Sequence, residues 1–246
     1  MFSSTIQSPT RSLSVPIARY TPVDGWLAIG LVGFVAAKYW LLGSYYATIS
    51  ATSPSGLPSG PGEALRLGLG ALGAAVTVAV LAALLRFRGH SWDTVGLSRQ
   101  NMQQSTRAGL LLSLLLITSV WLIGRWNSTP PDFNLTMITF GVPFYLGVIG
   151  FTEEIVFRGY LTTRLAGIGR RRVGVVAAGL IFGLSHLPFQ LAQTTLPLGT
   201  FLAQIWPNLV IPFCWHFVFW ALYKRWNNLA APVLFHFALN WSNYLL

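Results

Sequence analysis

Apolar stretches of about twenty residues recur along this chain, and that feature decides what it can fold into. A helix needs about 20 mainly apolar residues to cross the hydrocarbon core of a bilayer. Seven stretches qualify, near 24–49, 63–85, 107–124, 136–163, 172–188, 203–223 and 228–246. Lipid offers no hydrogen bonds, so only helices or closed barrels can span it. The expected fold is all-α, a polytopic transmembrane helical bundle of about seven spans. The semi-polar stretch 189–202 is the candidate for a re-entrant or short eighth helix. Residues 1–23 read as an N-terminal tail and 24–246 as a single transmembrane helical domain. The first twenty residues hold many Ser and Thr and no apolar run of the signal-peptide kind.

The charges support this reading. Only 9% of residues are charged and 53% are hydrophobic, whereas a soluble domain is about 25% charged. The net charge of +10 is unevenly spread. That argues against a nucleic-acid partner, which needs a charged soluble face. Arg11 and Arg19 precede the first span. Arg86, Arg88, Arg99 and Arg107 lie between the second and third, and Arg164, Arg170, Arg171 and Arg172 between the fourth and fifth. Lys224 and Arg225 lie between the sixth and seventh. Twelve of the sixteen basic residues thus share one side, against Arg66 and Arg125 on the other. The positive-inside rule predicts the N-terminus inside and the C-terminus outside. A full eighth crossing at 189–202 breaks that alternation. The expected setting is a lipid bilayer, with a bacterial plasma membrane as the expected location. Cys214 is the only cysteine, so no disulfide forms within the chain.

Ionisable residues at membrane depth are costly and by default mark function. Glu153 and Glu154 are adjacent in the apolar run Gly147–Tyr160. Glu154 and Arg158 stand four apart and can pair on one helix face. Glu153 lies about 100° round the helix from Glu154 and addresses a different space. A Glu–Arg packing pair accounts for one glutamate and not for two. Helical rise, at about 1.5 Å per residue, sets the depths. Glu153 lies roughly 16 Å from the arginine-rich end of its span, His186 roughly 21 Å, and His236 and Asn240 roughly 14 and 20 Å. Three helices therefore carry Glu153, His186, His236 and Asn240 to a similar level, where they make a polar cavity. His216, near Pro212, either lines that cavity or is a structural histidine. Pro207 and Pro212 are expected to kink the sixth span and open a lateral entrance.

Glu153-Glu154-x-x-x-Arg158, Phe182-x-x-x-His186 and His236-x-x-x-Asn240 together resemble the three signature motifs of the CPBP (CAAX-protease/bacteriocin-processing, or Abi) family. That family includes the type II CAAX prenyl endopeptidases. The segment Leu229-Ala-Ala-Pro-Val-Leu-Phe-His236 resembles the run before the family's third motif. The resemblance covers about 140–246, the expected catalytic core. It implies an intramembrane endopeptidase acting on a membrane-associated peptide or protein. Glu153 would be the general base that activates water, and His186 would help hold that water. His236 and Asn240 would stabilise the oxyanion, with Glu154 and Arg158 supporting the site.

The chemistry agrees independently. Hydrolysis in a membrane needs a base poised by burial and donors aimed at the developing oxyanion. Ser185 precedes His186, but adjacent helical residues point apart, which argues against a Ser–His pair. No cofactor is expected. The alternative is zinc held by Glu153, His186 and His236 as a His₂Glu site, although no His-Glu-x-x-His pairing occurs. Two other classes compete. One is a proton-coupled transporter with Glu and His as a relay; no repeat-related broken helices support it. The other is a non-catalytic immunity or binding protein on the same fold.

Overall fold

The computed structural model describes residues 20–52, 61–127 and 137–242. The tail 1–19 and the connection 53–60 lie outside the described residues, with Arg11 and Arg19. Seven helices follow in chain order. They are α1 (Pro22–Thr52), α2 (Pro61–Phe87), α3 (Met102–Trp126), α4 (Thr139–Ile168), α5 (Arg171–Leu191), α6 (Leu198–Trp226) and α7 (Ala230–Trp241). A 3₁₀ turn, Trp92–Val95, joins α2 to α3. The described residues are helical and contain no strand, as expected for an all-α membrane bundle.

Six helices are long and apolar enough to cross a membrane. The exception is α7, whose 12 residues reach only about 18 Å; the hydrocarbon core is about 30 Å thick. The stretch 189–202 makes no eighth crossing. Its first part belongs to the short helix Leu187–Leu191 that ends α5, and its last part to Leu198–Ile205, which begins α6.

Burial along α3 is inverted relative to a soluble helix. Leu110, Leu111, Leu114 and Leu115 are exposed, while Ser105, Gly109 and Ser113 are buried. Large side chains suit lipid, and small ones let helix backbones approach. The buried stripe, spaced four residues apart, receives α7. Ser105 Oγ accepts from the Ala231 N–H at 2.9 Å, and Ser113 Oγ donates to the Leu234 carbonyl at 2.9 Å. A Cβ on Gly109 would lie 2.9 Å from the Ala231 Cα. These contacts fix α7 and the residues it carries.

Polar contacts gather at one end of the bundle. Arg88 Nε pairs with Asp24 at 2.8 Å, and Arg164 donates to the Thr94 carbonyl and hydroxyl. Asn101 donates to the Trp226 carbonyl at 3.0 Å, and Asn228 to the Ser98 carbonyl at 2.8 Å. The start of α1, the α2–α3 and α6–α7 connections and the end of α4 therefore meet. At the other end, Asn208 of α6 donates to Gln190 of α5. The helices thus run alternately up and down along the bundle.

Through Phe144–Phe151 and Glu154–Thr162, α4 is opened to the i→i+5 π pattern. The hydroxyls of Thr152 and Thr162 follow that spacing, donating to the carbonyls of Gly147 and Phe157, five residues back. Such openings are rare and often sit at functional sites.

Candidate active site

Glu154 begins the second π stretch of α4, and Glu153 lies immediately before it, between the two. Glu154 and Arg158 are fully buried, with Glu153 8% and His236 6% exposed. Arg158 Nη1 donates to Glu154 Oε1 at 2.9 Å. His236 Nδ1, from α7, lies 2.7 Å from the same oxygen. A carboxylate only accepts, so Nδ1 carries the proton in that bond. The second ring nitrogen, Nε2, lies 3.8 Å from Glu153 Oε2. The glutamates thus meet one imidazole on its two sides.

Arg158 is held by rings as well as by charge. Its guanidinium carbon lies 3.9 Å from the centroid of Phe182 of α5 and 4.5 Å from that of Phe219 of α6. A desolvated cation on an aromatic face gains about 2 kcal/mol. Phe219 also stacks on His236, with centroids 4.7 Å apart. Four helices therefore meet around the Glu154–Arg158 pair.

Glu153 turns the other way, toward α1. The Tyr39 hydroxyl donates to Glu153 Oε1 at 2.9 Å, while Oε2 is buried without a hydrogen-bond partner.

His186 is not on a continuous helix. The expected span 172–188 breaks after Leu184, and Ser185 and His186 form a turn. Pro188 contributes to the break, since it has no N–H to offer the Leu184 carbonyl four residues back. The His186 N–H tightens onto the Gly183 carbonyl at 3.3 Å, which frees the Phe182 carbonyl. Ser185 Oγ and His186 Nδ1 both bond that carbonyl, at 2.7 and 2.9 Å. The Ser185 hydroxyl thus donates to the Phe182 carbonyl and not to the His186 ring. A carbonyl only accepts, so His186 Nδ1 carries a proton and the neutral ring leaves Nε2 bare. No hydrogen bond joins His186 to either glutamate. Asn240, one turn beyond His236 on α7, is half-buried and makes no hydrogen bond to them.

Three further placements bear on the site. His216 is buried against Gly179 and lies behind Phe182, ring centroids 6.3 Å apart, so it stands outside the glutamate pair. Helix α6 is interrupted at Trp206, before Pro207. Among the described residues no three His, Cys, Asp or Glu side chains converge to hold a metal. Of the alternative zinc set Glu153, His186 and His236, His186 has Nδ1 on the Phe182 carbonyl and Nε2 as its free ring nitrogen.

Three partners of the site carry little or no signal in the sequence. Tyr39 stands 114 residues before Glu153; its only sequence signal is the neighbouring Lys38, a charge inside a span. Phe182 lies in the second motif, yet nothing in the motif says that its ring carries Arg158. Phe219 has no signal at all.

Residues 134–242, somewhat under half of the chain, match the family model described as Type II CAAX prenyl endopeptidase Rce1-like. No match was found among curated proteins or among solved structures. The matched segment contains Glu153, Glu154, Arg158, His186, His236 and Asn240, and it is a domain of the Rce1-like, CAAX-protease family.

Proposed function

We propose that the chain is an intramembrane endopeptidase that hydrolyses a peptide bond of a membrane-associated protein with water activated by Glu153. One observation carries this reading. Glu153 presents a buried, unpartnered Oε2 3.8 Å from His236 Nε2, while its other oxygen is held. A substrate water at Oε2 can also reach His236 Nε2.

In the reaction, Glu153 takes a proton as the water oxygen bonds the peptide carbonyl carbon. The carbonyl π electrons move onto oxygen, which needs donors as its charge develops. Asn240 supplies an amide N–H. His236 Nε2 carries a proton only in the doubly protonated ring, because Nδ1 already donates to Glu154. The proton on Glu153 can move to that ring, which then donates to the oxyanion. When the intermediate collapses, the C–N bond breaks and the leaving amine takes the proton. The bare Nε2 of His186 accepts a hydrogen bond from the water. Glu154 and Arg158 hold His236 in register. The family description makes a prenylated C-terminal segment the first substrate to test. The basic end of the bundle faces inside, by the charge rule.

The test is Glu153→Gln in purified protein, assayed on a fluorogenic farnesylated CAAX-type peptide. The amide keeps size but takes no proton. Hydrolysis falls by about 10²–10⁴-fold, the contribution of a general base. A folded Glu153→Gln protein with full activity overturns the reading.

A further inference from the structure

Glu153 faces α1, which lies outside the segment matched to the family. Two neighbouring residues of that helix address the site. Tyr39 donates its hydroxyl to Glu153 Oε1 at 2.9 Å. Lys38 places Nζ 4.6 Å from the centroid of the Tyr39 ring and donates to Thr77 Oγ1 of α2 at 3.3 Å. Thr77 in turn donates to the Gly73 carbonyl at 2.7 Å. Gly73 leaves room for the lysine stem, since a Cβ there would meet Lys38 Cδ at 2.9 Å. A continuous seat thus runs from α2 through Lys38 to the Tyr39 ring and on to the carboxylate.

We infer that Tyr39 is a positioning residue for Glu153, holding Oε1 so that Oε2 is the oxygen that takes the proton. The inference rests on Glu153 being the base. A glutamate carboxylate has two equivalent oxygens, and either can swing toward a donor. Here one oxygen is tied to α1, and the other is left without a partner, facing His236. Fixing the base in one orientation removes a rotational search from the reacting state, which acts on turnover rather than on substrate capture. The N-terminal helix therefore completes a site whose other polar members lie within 134–242.

The test compares Tyr39→Phe, Glu153→Gln and the double variant in detergent-purified full-length protein, using the same farnesylated fluorogenic peptide. Tyr39→Phe removes one oxygen and leaves the ring under Lys38. The expected result is a fall in kcat of about 10-fold or more with KM unmoved. In the Glu153→Gln background the same change lowers the residual rate no further, since the orientation of a dead base is immaterial. A merely structural Tyr39 gives the opposite pattern, with losses that multiply in the double variant and follow the folded fraction. If Tyr39→Phe fails to fold, Lys38→Met carries the test, because it unseats the ring but keeps the hydroxyl. Full kcat in a folded Tyr39→Phe protein, with Glu153→Gln inactive, overturns the positioning role and leaves the base assignment standing. Full activity in Glu153→Gln overturns the base assignment instead.

Discussion

Arg158→Ala is the substitution whose consequence is most directly set by the structure. The guanidinium is fully buried, bonded to Glu154 Oε1 at 2.9 Å and faced by the rings of Phe182 and Phe219. Removing one partner of a buried ion pair costs about 3–5 kcal/mol, because the other charge is left uncompensated. Glu154 keeps its bond from His236 at 2.7 Å, which reduces that loss. Two cation–ring contacts and the packing of the side chain disappear with it, which restores it. The expected destabilisation is about 4 kcal/mol. For a chain of this length, 1 kcal/mol moves Tm by about 2–4 °C. Tm in detergent should therefore fall by roughly 8–16 °C. Thermal unfolding followed by intrinsic tryptophan fluorescence reads this directly. Glu154→Leu with Arg158→Met leaves no lone charge, so the double variant is more stable than Arg158→Ala. An Arg158→Ala protein melting within about 2 °C of the parent refutes the uncompensated-charge argument.

Two other outcomes follow from the described geometry. Asn240→Ala lowers kcat by about 10²–10³-fold with little change in KM, as for loss of one oxyanion donor; steady-state kinetics on the farnesylated peptide checks this, and an effect confined to KM contradicts it. His90, outside the spans, has its pKa lowered from 6.5 by burial and by the Arg164 guanidinium, with Asp24 opposing and Arg88 adding. The unfolded chain therefore binds this proton more readily, so stability is full above about pH 6.5 and declines as pH falls through that value toward the lower folded one. His90→Gln makes the Tm less sensitive to acid between about pH 7 and 5, and identical slopes in parent and variant refute the contribution.

The spans were legible because length and apolarity are physical requirements of the bilayer, independent of which helix packs on which. The Glu154–Arg158 pair was legible for a similar reason, since a four-residue spacing places two side chains together on any ordinary helix. Three features were not. The break at Ser185 and His186 depends on a carbonyl finding two side-chain partners, and Pro188 alone hinted at it. The Tyr39–Glu153 contact joins residues 114 positions apart, and local pattern carries no information at that range. The seventh span extends as helix only over Ala230–Trp241 in the described residues, and its tail 243–246 lies outside them. The stripe Ser105, Gly109 and Ser113 was visible in the chain, but its meaning required knowing that α7 docks there.

The π opening of α4 turns chain length into aim. An α-helix turns about 100° per residue, and a helix bonded to the fifth residue turns less at each step. Over the eight residues of Phe144–Phe151 the deficit accumulates, as on a vernier whose scales differ slightly. Gly150 upstream then abuts the Val233 carbonyl of α7, while Gly159 downstream abuts the Val95 carbonyl. A Cβ on Gly159 would come within 2.5 Å of the Val95 carbonyl, and one on Gly150 within 3.2 Å of the Val233 carbonyl, so both ends of the scale are closely seated. A one-residue deletion between them rotates everything that follows by about 100°. It swings the carboxylates off their partners on α1 and α7, although every residue of the three motifs is still present. In this chain the number of residues before Glu153 is itself a specification of the site, one that a comparison of motif letters does not read.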